Sequence, residues 1–201
     1  SQNFLTSSAL VRRIVSLARL TPRDYVVEIG PGKGHLTRQL LACCGKVTAV
    51  EIDQRLYGRL VQTYDGTPGL RLICGDFLTW PLPKTPFKVV ANIPFNQTTA
   101  ILKKLTDCPM LQEAWLIMEK GAARRFMGTP RESRASLLLK PFFALSVRHH
   151  FKREDFHPSP KADCVLLCLK RNASPDISPA DTAAYRRFLD ICFASPRAGL
   201  R

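Results

Sequence analysis

The sequence predicts an α/β fold, with a mostly parallel seven-stranded sheet closed by a terminal antiparallel pair. Three observations predict it. Short apolar runs such as "YVVEI" and "KVTAVEI" have the length and β-branched content of buried strands. Strand and helix alternate five times along the first two thirds of the chain, the pattern of a doubly wound sheet. The last two long apolar runs are joined by a Pro-rich stretch with no room for a crossover helix, so they should pair antiparallel.

Taken in order, Ser7 or Ser8 can cap a first helix running to about Leu20, where Thr21-Pro22 stops it. Val11, Ile14, Val15 and Leu17 form its apolar face, with Arg12, Arg13 and Arg19 outward. "YVVEI" (25–29) is the first sheet strand, and a glycine-rich turn leads to a helix at about 35–43. "KVTAVEI" (46–52) is the second strand, followed by a helix from Asp53 to about Thr63. "LRLICGD" and "FKVVAN" are the third and fourth. A helix from about Thr98 to Leu105, the strand "EAWLIM" (113–118) and a helix at about 119–127 complete the alternation. "PFFALSVRHHF" and "DCVLLCLKR" form the antiparallel pair, and one more helix, at about 180–193, follows the polar linker "NASPDISP" (172–179).

A chain of 201 residues can bury one sizeable core with a small appendage. Its apolar runs are too short and interrupted to span a bilayer, and no charged n-region followed by an apolar segment marks it for secretion. It begins at Ser1 without a Met, as a trimmed chain would. Thirty Lys and Arg against 16 Asp and Glu give a net charge of +14, the electrostatic footprint of a partner of nucleic acid or an anionic membrane, or else a merely soluble basic surface. The basic residues come in pairs and triplets, which suits a folded basic face better than a disordered arm. Seven cysteines, an odd number without a CxxC, read as reduced thiols in a cytoplasmic protein rather than as disulfides or zinc ligands.

In a doubly wound sheet, ligands bind beyond the carboxyl ends of the strands. After the first strand, "EIGPGKG" packs Gly30, Gly32 and Gly34 into five residues, where a backbone can approach a ligand without Cβ interference; a simple connecting turn is the alternative. The spacing is GxGxG, shorter than a dinucleotide GxGxxG, and Lys33 lacks the Ser or Thr of a P-loop. Glu51, after the second strand, is placed to accept from both hydroxyls of a ribose, or is a solvated strand-end charge. Asp76 beside Phe77, after the third, suits the amine and ring of an adenine, or an Asx turn. Together the three ends describe an adenosine without a phosphate site, which points to S-adenosyl-L-methionine.

The fourth strand ends in Asn92-Ile93-Pro94-Phe95, "NIPF". The Asn92 oxygen and the Ile93 carbonyl could accept from the two N–H bonds of an adenine N6 amine. That would favour a tetrahedral nitrogen whose lone pair meets a methyl group; Pro94 fixes φ to aim the carbonyl, and Phe95 stacks on the base. In isolation the tetrapeptide could instead be a Pro-containing turn with a core aromatic.

"EIGPGKG", "EID", "GDF" and "NIPF", in this order and spacing, resemble the N6-adenine ribosomal RNA methyltransferases of the KsgA/Erm family, and the Erm type is the nearer match. "SQNFL", "LIMEKGAARRF" and "FKREDFHPSPKADCVLLCLKR" extend the resemblance from Gln2 to Arg171. It implies a Rossmann-like class I S-adenosylmethionine-dependent fold over residues 1–171. Residues 172–201 would be a linker and the start of a small helical RNA-binding domain that is cut short here. It implies methylation of an adenine in 23S rRNA, met before ribosome assembly is complete, and resistance to macrolide, lincosamide and streptogramin B antibiotics. The KsgA type, acting on small-subunit rRNA, is the alternative.

The implied cofactor residues are Gln2, Asn3, Leu5, Gly30, Gly32, Glu51, Ile52, Asp76, Phe77 and Asn92, with Asn92, Ile93, Pro94 and Phe95 holding the target base. The family usually has Tyr where this chain has Phe95, which keeps the stacking face and loses a hydroxyl. Arg124, Arg125, Arg131 and Arg134 follow the fifth strand and are candidates for RNA phosphate contact, each equally readable as part of a solvated face. No metal, no membrane and a monomeric state are expected. A DNA adenine methyltransferase and a non-catalytic RNA-binding or assembly factor on the same fold are the competing functions, whereas GxGxG disfavours an NAD-dependent oxidoreductase.

Overall fold

Ser7 takes the Leu10 amide on its side chain and so begins the first helix, as its position before an amphipathic run requires. The computed structural model describes residues 3–178 and 180–194. In chain order the elements are β1 (Phe4–Leu5), α1 (Ser8–Leu17), β2 (Tyr25–Ile29), α2 (His35–Leu41), β3 (Lys46–Glu51), α3 (Gln54–Tyr64), β4 (Leu70–Cys74) and β5 (Phe87–Asn92). They continue with α4 (Thr98–Thr106), β6 (Leu111–Glu119), α5 (Lys120–Met127), α6 (Arg134–Leu139), β7 (Phe143–His150), β8 (Phe156–His157), β9 (Cys164–Arg171) and α7 (Thr182–Ala194).

Seven strands form one sheet in the order β4-β3-β2-β5-β6-β9-β7. The first five are mutually parallel, and β9 is antiparallel to both β6 and β7. The later strand of the expected antiparallel pair therefore lies inside, between β6 and β7. Its residues 165–167 and 169 are fully buried, as an interior strand requires, whereas β7 at the edge alternates with exposed positions. Strand order reverses between β2 and β5, so their carboxyl ends frame a crevice.

Successive side chains of each strand go to opposite cores. Val27, Val89, Ala91 and Leu116 face α4, α5 and α6, where Ile101, Leu102, Leu105 and Phe126 meet them. Val26, Val47, Val90 and Ile117 face α1 and α2. Cys164 and Cys168 share that second face, and burial pushes their thiols up to about 11 and about 12. No helix among the described residues is long and apolar enough to cross a membrane.

Four features depart from the expected elements. The first helix ends at Leu17, before Thr21-Pro22, because Arg19 adopts a left-handed φ of 46° and turns the chain. The alternation of strand and helix breaks at residues 75–86, which join β4 to β5 through turns alone. The helix α6 lies inside a stretch whose apolar residues do not announce it; a reciprocal Ser133–Ser136 capping box starts it. The two-residue strands β1 and β8 pair with each other, Phe4 with His157 and Leu5 with Phe156. Beyond the linker, α7 lies on α6: the Tyr185 hydroxyl donates to the Leu137 carbonyl, and Arg134 and Arg186 pair with Asp190 and Asp107.

Arg171 closes the sheet's far end, its Nε and Nη2 donating to the Leu111 and Cys108 carbonyls at 2.7 Å each. Its guanidinium also lies 4.5 Å from the Phe143 ring centroid. Arg171→Met keeps the aliphatic stem and loses both charge-assisted bonds, so we expect a destabilisation of about 2–4 kcal/mol in urea melts.

Candidate functional site

The turn between β2 and α2 sets the site. Gly30, Gly32 and Gly34 all have left-handed φ, at 63°, 59° and 78°. A Cβ at Gly32 would also lie 2.6 Å from the Phe4 ring, so a side chain there would displace that ring. Phe4 thus lies on the turn, and Lys33 Nζ lies 4.9 Å from the centre of the same ring. His35 Nδ1 donates to the Leu5 carbonyl at 3.0 Å, and Thr6 Oγ1 donates to the Asp155 carbonyl. With the β1–β8 pairing, these bonds hold residues 3–6 as a strap across the carboxyl ends of the strands.

Glu51 ends β3 with 1% of its surface exposed. Its Oε2 accepts the Gly32 amide at 2.9 Å and its Oε1 the Asp53 amide at 3.0 Å. A carboxylate has about four lone-pair sites, so about one remains on each oxygen. Ile52, next in the chain, is 59% exposed at the wall of a cavity.

Asp76 organises the turn after β4. Its Oδ1 accepts the Leu78 amide at 2.8 Å, and its carbonyl accepts the Thr79 and Trp80 amides. Phe77 is buried and packs between the core and the cavity.

At the end of β5, Asn92 Nδ2 donates to the Asn3 carbonyl at 2.6 Å. An amide that points its nitrogen at the strap must point its oxygen the other way. Pro94 follows with φ −65° and ψ 121°, and Phe95 opens a short 3-10 turn into α4. Among the described residues, neither Asn92 Oδ1 nor the Ile93 carbonyl has a protein donor.

These four strand ends enclose a cavity of about 250 Å³. Asn3, Gly30, Glu51, Ile52, Asp76, Phe77, Asn92, Ile93, Pro94 and Phe95, all expected at the site, line it. Leu5 and Gly32 stand one layer behind: Leu5 is buried in the core and Gly32 lies under Phe4. Gln2 falls outside the described residues. Phe4, Asn96 and Gln97 also line the cavity and were not expected. Phe4 had a signal, an aromatic inside "SQNFL"; the other two carry none apart from their proximity to "NIPF".

The arginines after β6 divide. Arg125 Nη2 donates to Thr99 Oγ1 at 2.9 Å, which brings it to the first turn of α4, beside the Asn92–Phe95 segment. Arg124 and Arg131 are exposed, and Arg134 is paired with Asp190 of α7. His149 packs edge-on against Phe151.

A second buried acid lies beside the site. Glu28 is buried, its Oε2 accepts the Thr37 hydroxyl at 2.7 Å, and its Oε1 has no partner among the described residues. Burial, with a smaller push from the charge of Glu51, raises its carboxyl to about 8, against the opposing hydrogen bond from Thr37.

Comparison with known proteins bears on this geometry. The ribosomal RNA adenine dimethylase family model matches residues 1–201. The chain is 32% identical over 199 residues to an rRNA adenine N-6-methyltransferase of Corynebacterium diphtheriae, covering 99% of this chain and 78% of that protein. It is 33% identical over 210 residues to ribosomal RNA small subunit methyltransferase A of Geobacter sulfurreducens, covering 99% and 76%. Among solved structures, the 23S rRNA methyltransferase ErmE superposes with a TM-score of 0.89 at 33% identity, covering 98% of this chain and 81% of that one.

The Glu28 carboxyl ionises near 4.5 when unfolded and holds its proton to about 8 when folded, so the native state keeps an extra proton across that interval. Stability from this group is therefore complete in acid and is lost as pH rises from 4.5 to about 8. Glu28→Gln imitates the protonated acid at every pH; its Tm should decline less than the wild type's across the interval, in parallel melts.

Proposed function

The chain belongs to the ribosomal RNA adenine dimethylase family, and from that membership and the site we propose that it methylates the N6 amine of an adenine in 23S rRNA. The methyl donor in this reading is S-adenosyl-L-methionine. The observation that carries it is the pair of acceptors without protein donors among the described residues, Asn92 Oδ1 and the Ile93 carbonyl, at the wall of a cavity whose other strand ends suit an adenosine.

The residues present fit that donor. The two remaining lone pairs of Glu51 would take the ribose hydroxyls, one on each oxygen. Ile52 and Phe77 would flank the adenine, with Asp76 accepting from its exocyclic amine. Gly30 lines the floor without a side chain, and Asn3 lies at the strap end, where the methionine portion would extend. When bound, S-adenosylmethionine supplies an electrophilic methyl group on a positively charged sulfur.

The protein's part is to prepare the nucleophile. An adenine N6 lone pair is delocalised into the ring, and the amine gains basicity as it becomes tetrahedral. Asn92 Oδ1 and the Ile93 carbonyl would accept its two N–H bonds and leave the lone pair free toward the methyl. The Asn3 carbonyl keeps Asn92 in the productive flip by engaging its nitrogen. Phe95 lines the cavity where an extruded base would stack, a contact worth about 1–3 kcal/mol. The proton leaves the amine after transfer, so no general base is needed beforehand. N6-methyladenine keeps one N–H, which permits a second round.

The net charge of +14 and the exposed Arg124 and Arg131, with Arg125 beside the acceptor segment, support contact with rRNA of salt-sensitive affinity; in this reading the enzyme works in the cytoplasm on rRNA not yet packed in a ribosome. Such an enzyme would confer macrolide, lincosamide and streptogramin B resistance. The identity to a small-subunit methyltransferase favours a second reading, methylation of 16S rRNA. Expression followed by mapping of methylated adenines on both rRNAs separates the two. A modified 23S adenine with macrolide resistance supports the first reading, and a 16S product overturns it.

Two substitutions test the assigned roles. Asn92→Ala should retain S-adenosylmethionine affinity in calorimetry and lose roughly 100-fold or more in transfer, the scale of deleting one preorganised polar contact to a reacting group. Glu51→Ala should instead weaken S-adenosylmethionine binding about 10- to 100-fold, since it loses charged hydrogen bonds.

A further inference from the structure

We propose that Lys104 is a positioning residue that sets the adenine end of the cavity and ties it to the helix behind the acceptor-base segment. The inference rests on the proposed adenosine site and assigns a residue outside it.

The reason begins with residues 75–86, which join two parallel strands without a helix. A turn with no helix or strand around it leaves carbonyls to be satisfied. Asp76 satisfies the amides of this turn, at Leu78, Thr79 and Trp80. The carbonyls of Phe77, Leu78 and Trp80 converge instead on Lys104 Nζ, at 2.6, 2.9 and 2.5 Å. An ammonium has three N–H donors, and this one meets three acceptors. The same nitrogen lies 5.0 Å from the centre of the Phe77 ring. Burial lowers its pKa, and the charge of Asp76 opposes that shift.

Lys104 brings this turn to a rigid support. It projects from α4, which Ile101, Leu102 and Leu105 anchor in the core. That helix grows directly from the Asn92–Phe95 segment, where Thr98 Oγ1 donates to the Phe95 carbonyl. One helix therefore carries the acceptor segment at its start and holds the Asp76–Phe77 wall from its second turn. Lys103, its exposed neighbour, touches none of these carbonyls and offers a control for charge alone.

The consequence is specificity for a 6-amino purine, since Asp76 can accept from an amine only if its turn is held in place. Calorimetry with S-adenosylhomocysteine and S-inosylhomocysteine, which replaces that amine by an oxygen, reads this out. The wild type should prefer the adenosyl compound by about tenfold or more. Lys104→Met should weaken the adenosyl compound alone and bring the ratio close to one, and Lys103→Met should leave it unchanged. A Lys104→Met protein that keeps the wild-type ratio, or binds both compounds equally less well, overturns the inference, because a purely structural role predicts that result. Should the methionine variant melt below the assay temperature, Lys104→Gln, which retains an N–H donor group, is judged by the same ratio. A wild type without preference would overturn the reading of adenine at Asp76, and the Lys104 inference with it.

Discussion

A carboxylate withdrawn from water has to find donors, and Glu51 finds them in two backbone amides from different loops. One belongs to Gly32 in the turn after β2, the other to Asp53, whose own side chain caps α3. A single strand-end acid therefore fixes the spacing of the two turns that bound the crevice. The strap of residues 3–6 lies on the same arrangement: Phe4 rests on Gly32, and the Asn3 carbonyl next to it accepts from Asn92. Glycine turn and cavity wall meet at this pair of hydrogen bonds, and the strap, held to β8 and His35 by bonds of its own, lies over them.

The second acid, Glu28, works by a different rule. It lies nearby, has one donor and one unpartnered oxygen among the described residues, and stays protonated to about 8. Two carboxylates near one another at the end of a buried sheet would repel if both were charged. Placing the better-donated acid at the cavity and the proton on the other separates their roles by environment. A strand-end acid can thus be a cavity-lining group or a neutral structural one, and its donors distinguish the two.

Much of the site was legible because strand ends are local features. "EIGPGKG", Glu51, Asp76–Phe77 and "NIPF" each sit immediately after an apolar run, and the doubly wound pattern sends all those ends to one edge. The structure brings them into a single cavity. Phe4, Lys104 and the β1–β8 pair were not legible in the same way. Each acts through a partner 24 or more residues away, and neither periodicity nor turn chemistry carries information across such a distance. The helix α6 was missed for a local reason: "RASLLL" has no long amphipathic period, and its start is fixed by a Ser–Ser capping box.

What the sequence by itself determined is the set of elements and the residues at their ends. Hydrophobic periodicity, proline and glycine act over a few residues, and their physics is complete within that window. Only the tertiary structure decided that β9 lies between β6 and β7, that strand order reverses beside β2, and that the Asn92 amide turns its nitrogen to the Asn3 carbonyl. Those outcomes depend on which buried surfaces and unpaired polar groups find each other once the whole chain has collapsed. Burial on both faces places β9 inside the sheet, and one carbonyl from a distant strap decides which face of an asparagine is left for a partner.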